Sequence, residues 1–391
     1  MRGFRLGKSA LLVVLLLFGG NRMARSEIPV APGAPGKDAR WASAGKQAVG
    51  TSNTLESKVW FTLQGGALTE VFSPTADMPN VHVLEFVVVN PSSRKVETER
   101  EDATHEVQVL NHHSLSFRQI NTATNGAWKV IKTYTTDPGR STVLIDVKFE
   151  TKDKALALYV YFDPSLNNSG MHDTAWTQGN ALLANEADKS SALLVSGGFT
   201  EITNGFYQIS DGLDQLKQNG RIVTAYTRAK NGNVAQLAKF KQPGRFTLAL
   251  GFGKRAGEAL NAARNSLTKG FQVCRKEYEE NWRRVVRRLP KVEPKYQAHF
   301  NLAALVLKAH EGKTFRGANV ASLPAPWITG AAANEPHVGG YHLVWARDLY
   351  LVNGSVHTSR CESAQEKKPG HARHSGGAIC QVKRICKRGS R

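Results

Sequence analysis

One short segment of the sequence brings together the residue types that recognise sugars. It runs Gly-Gly-Tyr-His-Leu-Val-Trp-Ala-Arg-Asp-Leu-Tyr over residues 339–350. The indole of Trp345 is an apolar platform for a sugar ring, whereas Arg347 offers a fork of donors and Asp348 offers acceptors for hydroxyl groups. This combination suits a neutral polyol. On spacing alone, a helix start with a core tryptophan and a local Arg–Asp pair is favoured over a binding site, and both interpretations stay open.

Other patterns of catalytic or metal-binding residues are incomplete. The His-Glu pairs at 105–106 and 310–311 begin like the zinc motif H-E-x-x-H, but valine and threonine stand where the second histidine belongs. His112 and His113 are adjacent, would point to opposite faces of a strand, and are expected to be solvated loop residues. The sequence contains neither a G-x-S-x-G elbow nor a P-loop. It therefore predicts no metal and no cofactor.

The positive charge of the chain is concentrated at its two ends. The 52 lysines and arginines against 32 aspartates and glutamates give a formal net charge of +20. Residues 1–26 and 356–391 together hold 14 of the basic residues and two of the acidic ones, so the long middle part is only mildly basic. The basic run at residues 283–288 accompanies a helical apolar stripe and is expected to be a solvated helix face. The middle part therefore predicts no nucleic-acid partner.

Alternating apolar residues predict the strands that would support the segment at 339–350, called the sugar-type segment below. In one such run, Val143, Ile145 and Val147 fall on one face, while Asp146 and Lys148 fall on the other. This pattern is typical of antiparallel strands with one buried face, and ten or so of them over roughly 210 residues predict a large all-β sandwich. The predicted strands cover residues 58–63, 67–72, 81–89, 114–120, 128–134, 143–149, 156–162, 192–199, 221–226 and 246–252.

Helical periodicity replaces the alternation after about Lys254. One apolar stripe runs over residues 256–267, a second over 271–289, and a third helix carries Phe300 and Leu307. Their period of about 3.6 residues is typical of amphipathic helices. Because strands and helices occur in blocks instead of alternating, the sequence predicts a β domain followed by a separate helical domain.

Three motifs, in order along the chain, resemble one enzyme family. The segment at 339–350 is similar to the Tyr-x-x-x-Trp-x-Arg-Asp motif of glycoside hydrolase family 15, the glucoamylases and glucodextranases. The stretches at 307–315 and 321–327 resemble that family's entry into its catalytic barrel, and residues 60–74 resemble the start of the β domain in its bacterial members. The resemblance extends from about residue 37 to residue 352.

The resemblance implies a fold class and a substrate. The fold is an all-β N-terminal super-sandwich followed by a helical linker and the first helices of an (α/α)6 barrel, here truncated. The family motif places Tyr341, Trp345, Arg347 and Asp348 in the subsite for the terminal glucose. The implied partner is an α-glucan oligosaccharide or polysaccharide.

The catalytic residues of that family are expected beyond residue 352. Inverting hydrolysis needs a carboxylic acid and a carboxylate about 6.5–9.5 Å apart, and the family supplies both as glutamates on later barrel segments. Glu335 is expected to be a loop residue, and Glu362 and Glu366 lie in a stretch that resembles nothing in the family. We therefore predict no catalytic residue in this sequence and an inactive chain.

The first 26 residues are typical of a cleavable secretory signal peptide. Three basic residues precede an apolar run over residues 10–18, and small residues occupy positions 24 and 26. Nine apolar residues are too few to span a bilayer, which needs about 20. The sequence thus predicts a periplasmic or secreted protein without stable membrane insertion.

The last stretch, residues 356–391, has no apolar period and an abrupt change in composition. Such a basic tail is not expected to fold, and translation in the wrong frame is favoured over a disordered interaction tail. The predicted organisation is a signal peptide at 1–26, a linker and domain entry at 27–57, the super-sandwich at 58–270, a helical linker at 271–295, the start of the barrel at 296–355 and the tail at 356–391.

Three functions follow from these patterns. The first is an exported glucoamylase- or glucodextranase-like hydrolase acting on α-glucans by inversion, with this chain lacking its glutamate pair. The second is a non-catalytic carbohydrate-binding β-sandwich protein. The third, a secreted polyanion binder, rests on the basic tail alone. The sequence does not distinguish α-1,4 from α-1,6 linkages.

Overall fold

Two antiparallel β-sheets dominate the molecule. The computed structural model describes residues 29–325 and 340–352. The strands within these ranges are β1 (Ala48–Thr51), β2 (Trp60–Gln64), β3 (Ala67–Phe72), β4 (Val81–Val89), β5 (Val96–Thr98), β6 (Ala103–Val109), β7 (Phe117–Ala123), β8 (Trp128–Thr136), β9 (Thr142–Thr151), β10 (Ala157–Pro164), β11 (Asp173–Gln178), β12 (Ala181–Glu186), β13 (Lys189–Val195), β14 (Phe199–Phe206), β15 (Arg228–Gly232), β16 (Val234–Phe240) and β17 (Arg245–Gly253).

The two sheets draw their strands from interleaved parts of the chain. The first sheet has the order β1-β2-β3-β4-β10-β16-β14, with β5 paired to the end of β4. The second has the order β15-β11-β12-β13-β17-β9-β8-β7-β6. Neighbouring strands run antiparallel throughout, as between β4 and β10 or between β8 and β9. This topology confirms the predicted all-β sandwich.

The main apolar core lies between the sheets. Side chains from the first sheet, such as Phe86 and Phe240, meet Phe246 of the second, with ring centroids 5.4 Å apart for Phe86–Phe240 and 4.3 Å for Phe240–Phe246. The alternating residues Val143 and Ile145 are fully buried in this core. Removing such side chains from water, at about 25 cal/mol per Å² of apolar surface, is the main force that holds the sheets together.

A buried ion pair interrupts this apolar core. Lys132 of β8 donates from Nζ to Glu99 Oε2 at 2.7 Å and to the carbonyl oxygen of Gly66 at 2.6 Å, and neither charged side chain is exposed. Glu99 Oε2 also accepts from the backbone N–H of Phe86 at 2.8 Å. Each buried charge is therefore hydrogen-bonded, as burial at low dielectric requires.

Helices cover the outer faces of both sheets, and the last ones also pack against the main core. The helices are α1 (Glu99–Asp102), α2 (Gly212–Asn219), α3 (Ala256–Lys269), α4 (Phe271–Val286) and α5 (Pro294–Ala309), with a 3₁₀ turn at Leu166–Asn168 and a short helix over residues 346–352. Leu216 of α2 packs on the first sheet, and Leu260 of α3 packs on the second. Helices α3, α4 and α5 follow the last strand, as the sequence predicted, whereas α1 and α2 lie between strands and were not predicted.

Close contact between α3 and the second sheet depends on a glycine. A Cβ atom at Gly251 would lie 2.5 Å from the carbonyl oxygen of Ala259 and 2.7 Å from the backbone nitrogen of Ala263. Both alanines are fully buried. The absence of a side chain on the strand and the small side chains on the helix together allow this approach.

The fourth and fifth helices are tied to the sandwich by buried aromatic donors. From α4, the hydroxyl of Tyr278 donates to the carbonyl oxygen of Leu115 at 2.8 Å, and Trp282 Nε1 donates to that of Thr51 at 2.8 Å. Both α4 rings are buried in the core cluster, together with Leu305 of α5. The helices thus join the core of the β domain and extend it.

Two strand predictions are wrong. Residues 221–226 form no strand, because the backbone N–H groups of Val223 and Thr224 donate to Gln215 Oε1 of α2 and not to a neighbouring strand. The predicted strand at 192–199 is broken by a turn after Val195, where Gly197 and Gly198 adopt positive φ angles of 97° and 82°. In both places local hydrogen bonding or glycine chemistry outweighs apolar alternation.

None of the described helices has both the length and the apolar content that crossing a bilayer requires.

Candidate functional site

The four predicted sugar contacts lie on one short surface segment. Tyr341 belongs to a turn, and Trp345 immediately precedes the helix over 346–352, which carries Arg347 and Asp348 in its first turn. Tyr341 is 53% exposed and Trp345 is 50% exposed. Both rings are therefore open to a ligand arriving from solvent.

Hydrogen bonds within the segment fix the tryptophan. Its Nε1 donates to the carbonyl oxygen of Gly340 at 2.7 Å, and the backbone N–H of Leu343 donates to the same oxygen at 3.0 Å. The carbonyl oxygen of Trp345 accepts from the backbone N–H of Leu349 at 2.9 Å, which begins the helix. The ring is thus held at a turn-to-helix junction while much of its surface stays exposed.

The alternative interpretation of this segment, a helix start with a core tryptophan and a local Arg–Asp pair, agrees with the structure in its first element, because a helix begins at residue 346. Trp345, however, is not a core residue, since it is half exposed. Arg347 is exposed and Asp348 is half-buried, and no ion pair joins them in the part of the chain that the structure describes. The donor groups of Arg347 and the acceptor oxygens of Asp348 are consequently available to a ligand.

A buried histidine anchors the segment to the sandwich. His342 is 2% exposed, lies edge-on to Phe72 of β3 with 5.1 Å between ring centroids, and places Nε2 3.3 Å from the carbonyl oxygen of Leu323. Burial lowers the pKa of His342 to about 4, so the ring is neutral near pH 7. The alternation of buried and exposed residues here turns His342 inward and leaves Tyr341 outward.

A second backbone connection reinforces this anchor. Residues 321 and 322 donate from their backbone N–H groups to the carbonyl oxygens of Leu343 and Tyr341, at 3.0 and 2.8 Å. The adjoining Val320 and Leu323 are buried against Trp60 and Phe72 on the outer face of the first sheet. The segment that carries the candidate contacts is therefore supported by the β domain itself.

The described part of this surface combines aromatic rings with one basic and one acidic side chain. Tyr341, Trp345, Arg347 and Asp348 line none of the four main cavities found among the described residues. Among the described residues of segment 340–352, the carboxylate is that of Asp348, whereas inverting glycoside hydrolysis uses two carboxyl groups. The segment offers two aromatic rings, a guanidinium group and a carboxylate to a ligand.

Several sequence predictions fall outside the described residues. Glu335, predicted to be a loop residue, lies between the two described ranges, and Glu362 and Glu366 lie beyond the second. The predicted signal peptide and the basic tail are also outside these ranges. The metal-free prediction for His112 and His113 concerns exposed residues that follow β6.

Sequence reasoning missed the buried charges. Lys132 lies on the same buried face of β8 as Val130 and Tyr134. A lysine among the apolar residues of that face was therefore a detectable signal of a buried ion pair. Lys313 is also buried, yet its partners are Thr51 and Ser57 at the start of the β domain. No local sequence pattern could have predicted the contact between Lys313 and Thr51, which are 262 positions apart.

Comparison with known proteins identifies the family of this chain. Residues 31–287 match the family described as glucodextranase, domain N. The chain belongs to this glucodextranase N-domain family. The match spans the sandwich, α3 and α4, and so confirms the resemblance to glycoside hydrolase family 15 that the sequence motifs indicated.

Two relatives of this glucodextranase N-domain chain show how far the similarity extends. A glucoamylase of Clostridium sp. (strain G0005) is 32% identical over 327 residues, which are 81% of this chain and 46% of that protein. The crystal structure of a bacterial glucoamylase complexed with acarbose superposes with a TM-score of 0.80 at 31% identity, over 85% of this chain and 51% of that one. The chain spans about half the length of the relatives it matches.

Proposed function

We propose that this protein is a glycoside hydrolase of the glucoamylase and glucodextranase type that binds the non-reducing end of an α-glucan. The observation that carries the proposal is the similarity, over 85% of this chain, to a bacterial glucoamylase whose crystal structure contains acarbose. Family membership through residues 31–287 supports it. The sugar-type segment adds a surface of suitable chemistry.

Each of the four residues has a proposed role in holding the terminal glucose. Trp345 stacks on the apolar face of the ring, and Tyr341 provides a second aromatic edge together with a hydroxyl. Arg347 donates to ring hydroxyls, and Asp348 accepts from them. Exposed aromatic rings beside ionic groups without partners in the described residues favour a polyol over an apolar ligand.

We further propose that the 391-residue chain alone does not hydrolyse glycosidic bonds. General acid and general base catalysis each contribute about 10²–10⁴-fold, and the described surface around Trp345 holds one carboxylate, Asp348. An open, one-sided surface also buries little of a sugar, so binding is weak, with a Kd of about millimolar order.

Export completes the proposal. The leader-like sequence at residues 1–26 supports passage to the periplasm or the medium, with removal of that segment. Amino-terminal sequencing of the protein recovered from its native host tests this: the mature chain is expected to begin at about residue 27, and a cytosolic protein that retains Met1 would refute it.

A ligand-detected NMR titration with acarbose and maltotriose tests the binding site. We expect Trp345→Ala and Asp348→Asn to weaken binding about tenfold, which corresponds to the loss of one stacking contact or one ionic hydrogen bond. Tyr350→Ala is the matched control, because Tyr350 is 77% exposed on the same helix and outside the proposed contacts.

Two other outcomes would contradict parts of the proposal. Sugar binding that survives all variants of the segment would favour the non-catalytic β-sandwich binder. Glucose release from maltooligosaccharides by the purified chain, abolished by Asp348→Ala, would show that a catalytic carboxylate pair exists within it. Absence of both binding and hydrolysis would reject the proposed α-glucan site.

A further inference from the structure

A cavity of about 310 Å³ lies where the sandwich meets the helices. Its walls come from the loop that follows β1, the ends of α4 and α5, and the residues after α5. It is separate from the sugar-type segment at 340–352, none of whose residues lines it. Its volume is at the lower end of the range for ligand sites and so fits a small ligand.

A lysine without a carboxylate partner forms part of this wall. Lys313 is 9% exposed, and its Nζ donates to the hydroxyl of Thr51 and to the carbonyl oxygen of Ser57. Nζ also lies 4.6 Å from the ring centroid of Trp60. All three contacts are uncharged, so they orient the ammonium group without neutralising it.

Comparison with Lys132, another buried lysine, shows that Lys313 lacks a carboxylate in direct contact among the described residues. Lys132 contacts Glu99 directly at 2.7 Å, whereas no ion pair of the described residues includes Lys313. Burial lowers the pKa of Lys313 well below its ordinary value, and the charge of the nearby Glu56 offsets this only in part. An isolated buried ammonium is costly, and a negative group beside it would relieve that cost.

Basic side chains outnumber acidic ones among the other residues that line the cavity. Arg288 at the end of α4 and Arg316 are exposed lining residues that form no ion pair within the described residues. The lining carboxylate is Glu311, which accepts from Lys308 and from the backbone N–H of Gly317 and is thereby already neutralised. Two guanidinium groups and the amino group of Lys313 therefore line one small cavity, whose lining carboxylate is already paired with Lys308.

We propose that this cavity binds a small oxyanion, a phosphate group, between Arg288, Lys313 and Arg316. The two guanidinium groups present forks of donors that match the oxygens of such an anion, and the lysine supplies a point charge from the buried side. The bound anion would join the β domain to α4 and to the residues after α5. The phosphate group belongs either to inorganic phosphate or to a phosphorylated sugar.

Isothermal titration calorimetry of the full chain tests the proposal. Sodium phosphate and glucose 6-phosphate are titrated separately, with sodium chloride keeping the ionic strength constant, because exposed charges respond to salt alone. We expect saturable binding of one anion per chain. Equal affinities identify free phosphate as the ligand, and tighter binding of glucose 6-phosphate identifies a sugar phosphate.

Adjacent arginines provide a matched control. Arg288→Ala and Arg316→Ala are expected to weaken binding about tenfold each. Arg287→Ala should leave the affinity within about twofold, because Arg287 pairs with Glu280 at 3.3 Å and does not line the cavity. Because both lining arginines are exposed, their replacement leaves the fold intact. No saturable binding of either anion, or an equal loss with Arg287→Ala, would overturn the proposal.

Discussion

The indole nitrogen of Trp60 donates a hydrogen bond to the carbonyl oxygen of Ala309 at 2.9 Å, although 249 positions separate the two residues. Trp60 lies in β2 and is fully buried, and Ala309 is the last residue of α5. The same ring also faces the ammonium group of Lys313. One side chain of the sandwich therefore both satisfies the end of α5 and supports the residues that follow it.

Replacing Trp60 by phenylalanine tests this connection. The variant keeps an aromatic ring but leaves the buried carbonyl oxygen of Ala309 without its donor, which costs about 1–3 kcal/mol. We expect that loss in urea unfolding followed by circular dichroism, together with faster protease cleavage within α5. Trp176→Phe is the control, since Trp176 is only partly buried on the outer face of the second sheet. Equal effects of the two variants would contradict the role of the hydrogen bond.

The buried pair of Lys132 and Glu99 predicts strong coupling between two substitutions. Lys132→Met or Glu99→Leu alone leaves the other charge buried and unpaired, at a cost of about 3–5 kcal/mol. The double variant removes both charges and should be destabilised by much less than the sum of the single losses. Urea unfolding of the parent, the two single variants and the double variant completes this double-mutant cycle. Additive losses would show that the two charges do not act as a pair.

Asp173 makes stability depend on pH. It is fully buried, its Oδ2 accepts from the backbone N–H of Leu166 at 3.1 Å, and burial, followed by the neighbouring Glu186 carboxylate, raises the pKa of Asp173 well above its ordinary value. The folded protein thus holds a proton that the unfolded chain releases above about pH 4. This contribution to stability is fully present below that pH and is lost as the pH rises through the folded-state pKa.

Asp173→Asn removes this ionisation while keeping an acceptor for Leu166. The unfolding free energy of the parent should therefore fall relative to that of the variant as the pH rises, by at most about 1.4 kcal/mol per pH unit. Urea unfolding between pH 4 and pH 8 measures the difference. Asp153→Asn at an exposed position is the control for the substitution itself and should change stability at pH 7 by about 0.5 kcal/mol or less. If the unfolding free energy of Asp173→Asn changed with pH in the same way as that of the parent, the pKa of Asp173 would not be raised in the folded protein.

Ser266 attaches α3 to the turn between β8 and β9. Its hydroxyl donates to Asp137 Oδ2 at 2.7 Å, and the backbone N–H of Gly139 donates to Oδ1 at 3.0 Å. Burial alone would raise the pKa of Asp137, but these donors and nearby basic groups outweigh it and lower that pKa. The carboxylate therefore stabilises the fold above its unfolded-state pKa, and this stabilisation is lost as the pH falls through the lower folded-state pKa.

Ser266→Ala should cost about 2 kcal/mol at pH 7, because it removes a hydrogen bond to a buried charge. The loss should shrink as acid protonates Asp137. Thr268→Ala, exposed on the same helix, serves as the control and should change stability by about 0.5 kcal/mol or less. Thermal unfolding at pH 7 and pH 3 measures the loss of stability. An equal loss at both pH values would contradict the proposed role of the Asp137 carboxylate.

Periodicity predicted the sandwich well where strands have one apolar face. Val143 and Ile145 of β9 are fully buried as expected. Strand β6 escaped prediction, because its residues are exposed or half-buried at the edge of the second sheet and show little apolar alternation. The candidate sugar contacts were predicted from a motif and not from periodicity, and the anchoring of His342 on Phe72 joins distant segments that no local pattern relates.

The interleaved strand order has a consequence for synthesis on the ribosome. Strand β17 lies between β13 and β9 in the second sheet, and β16 lies between β10 and β14 in the first. The first sheet is continuous only after β16, which ends at Phe240, and the second only after β17, which ends at Gly253, so strands made earlier keep unpaired edges until then. Such nascent edges invite aggregation and favour assistance by chaperones. The β domain is thus completed late in synthesis, just before the helices α3, α4 and α5 that pack on it are made.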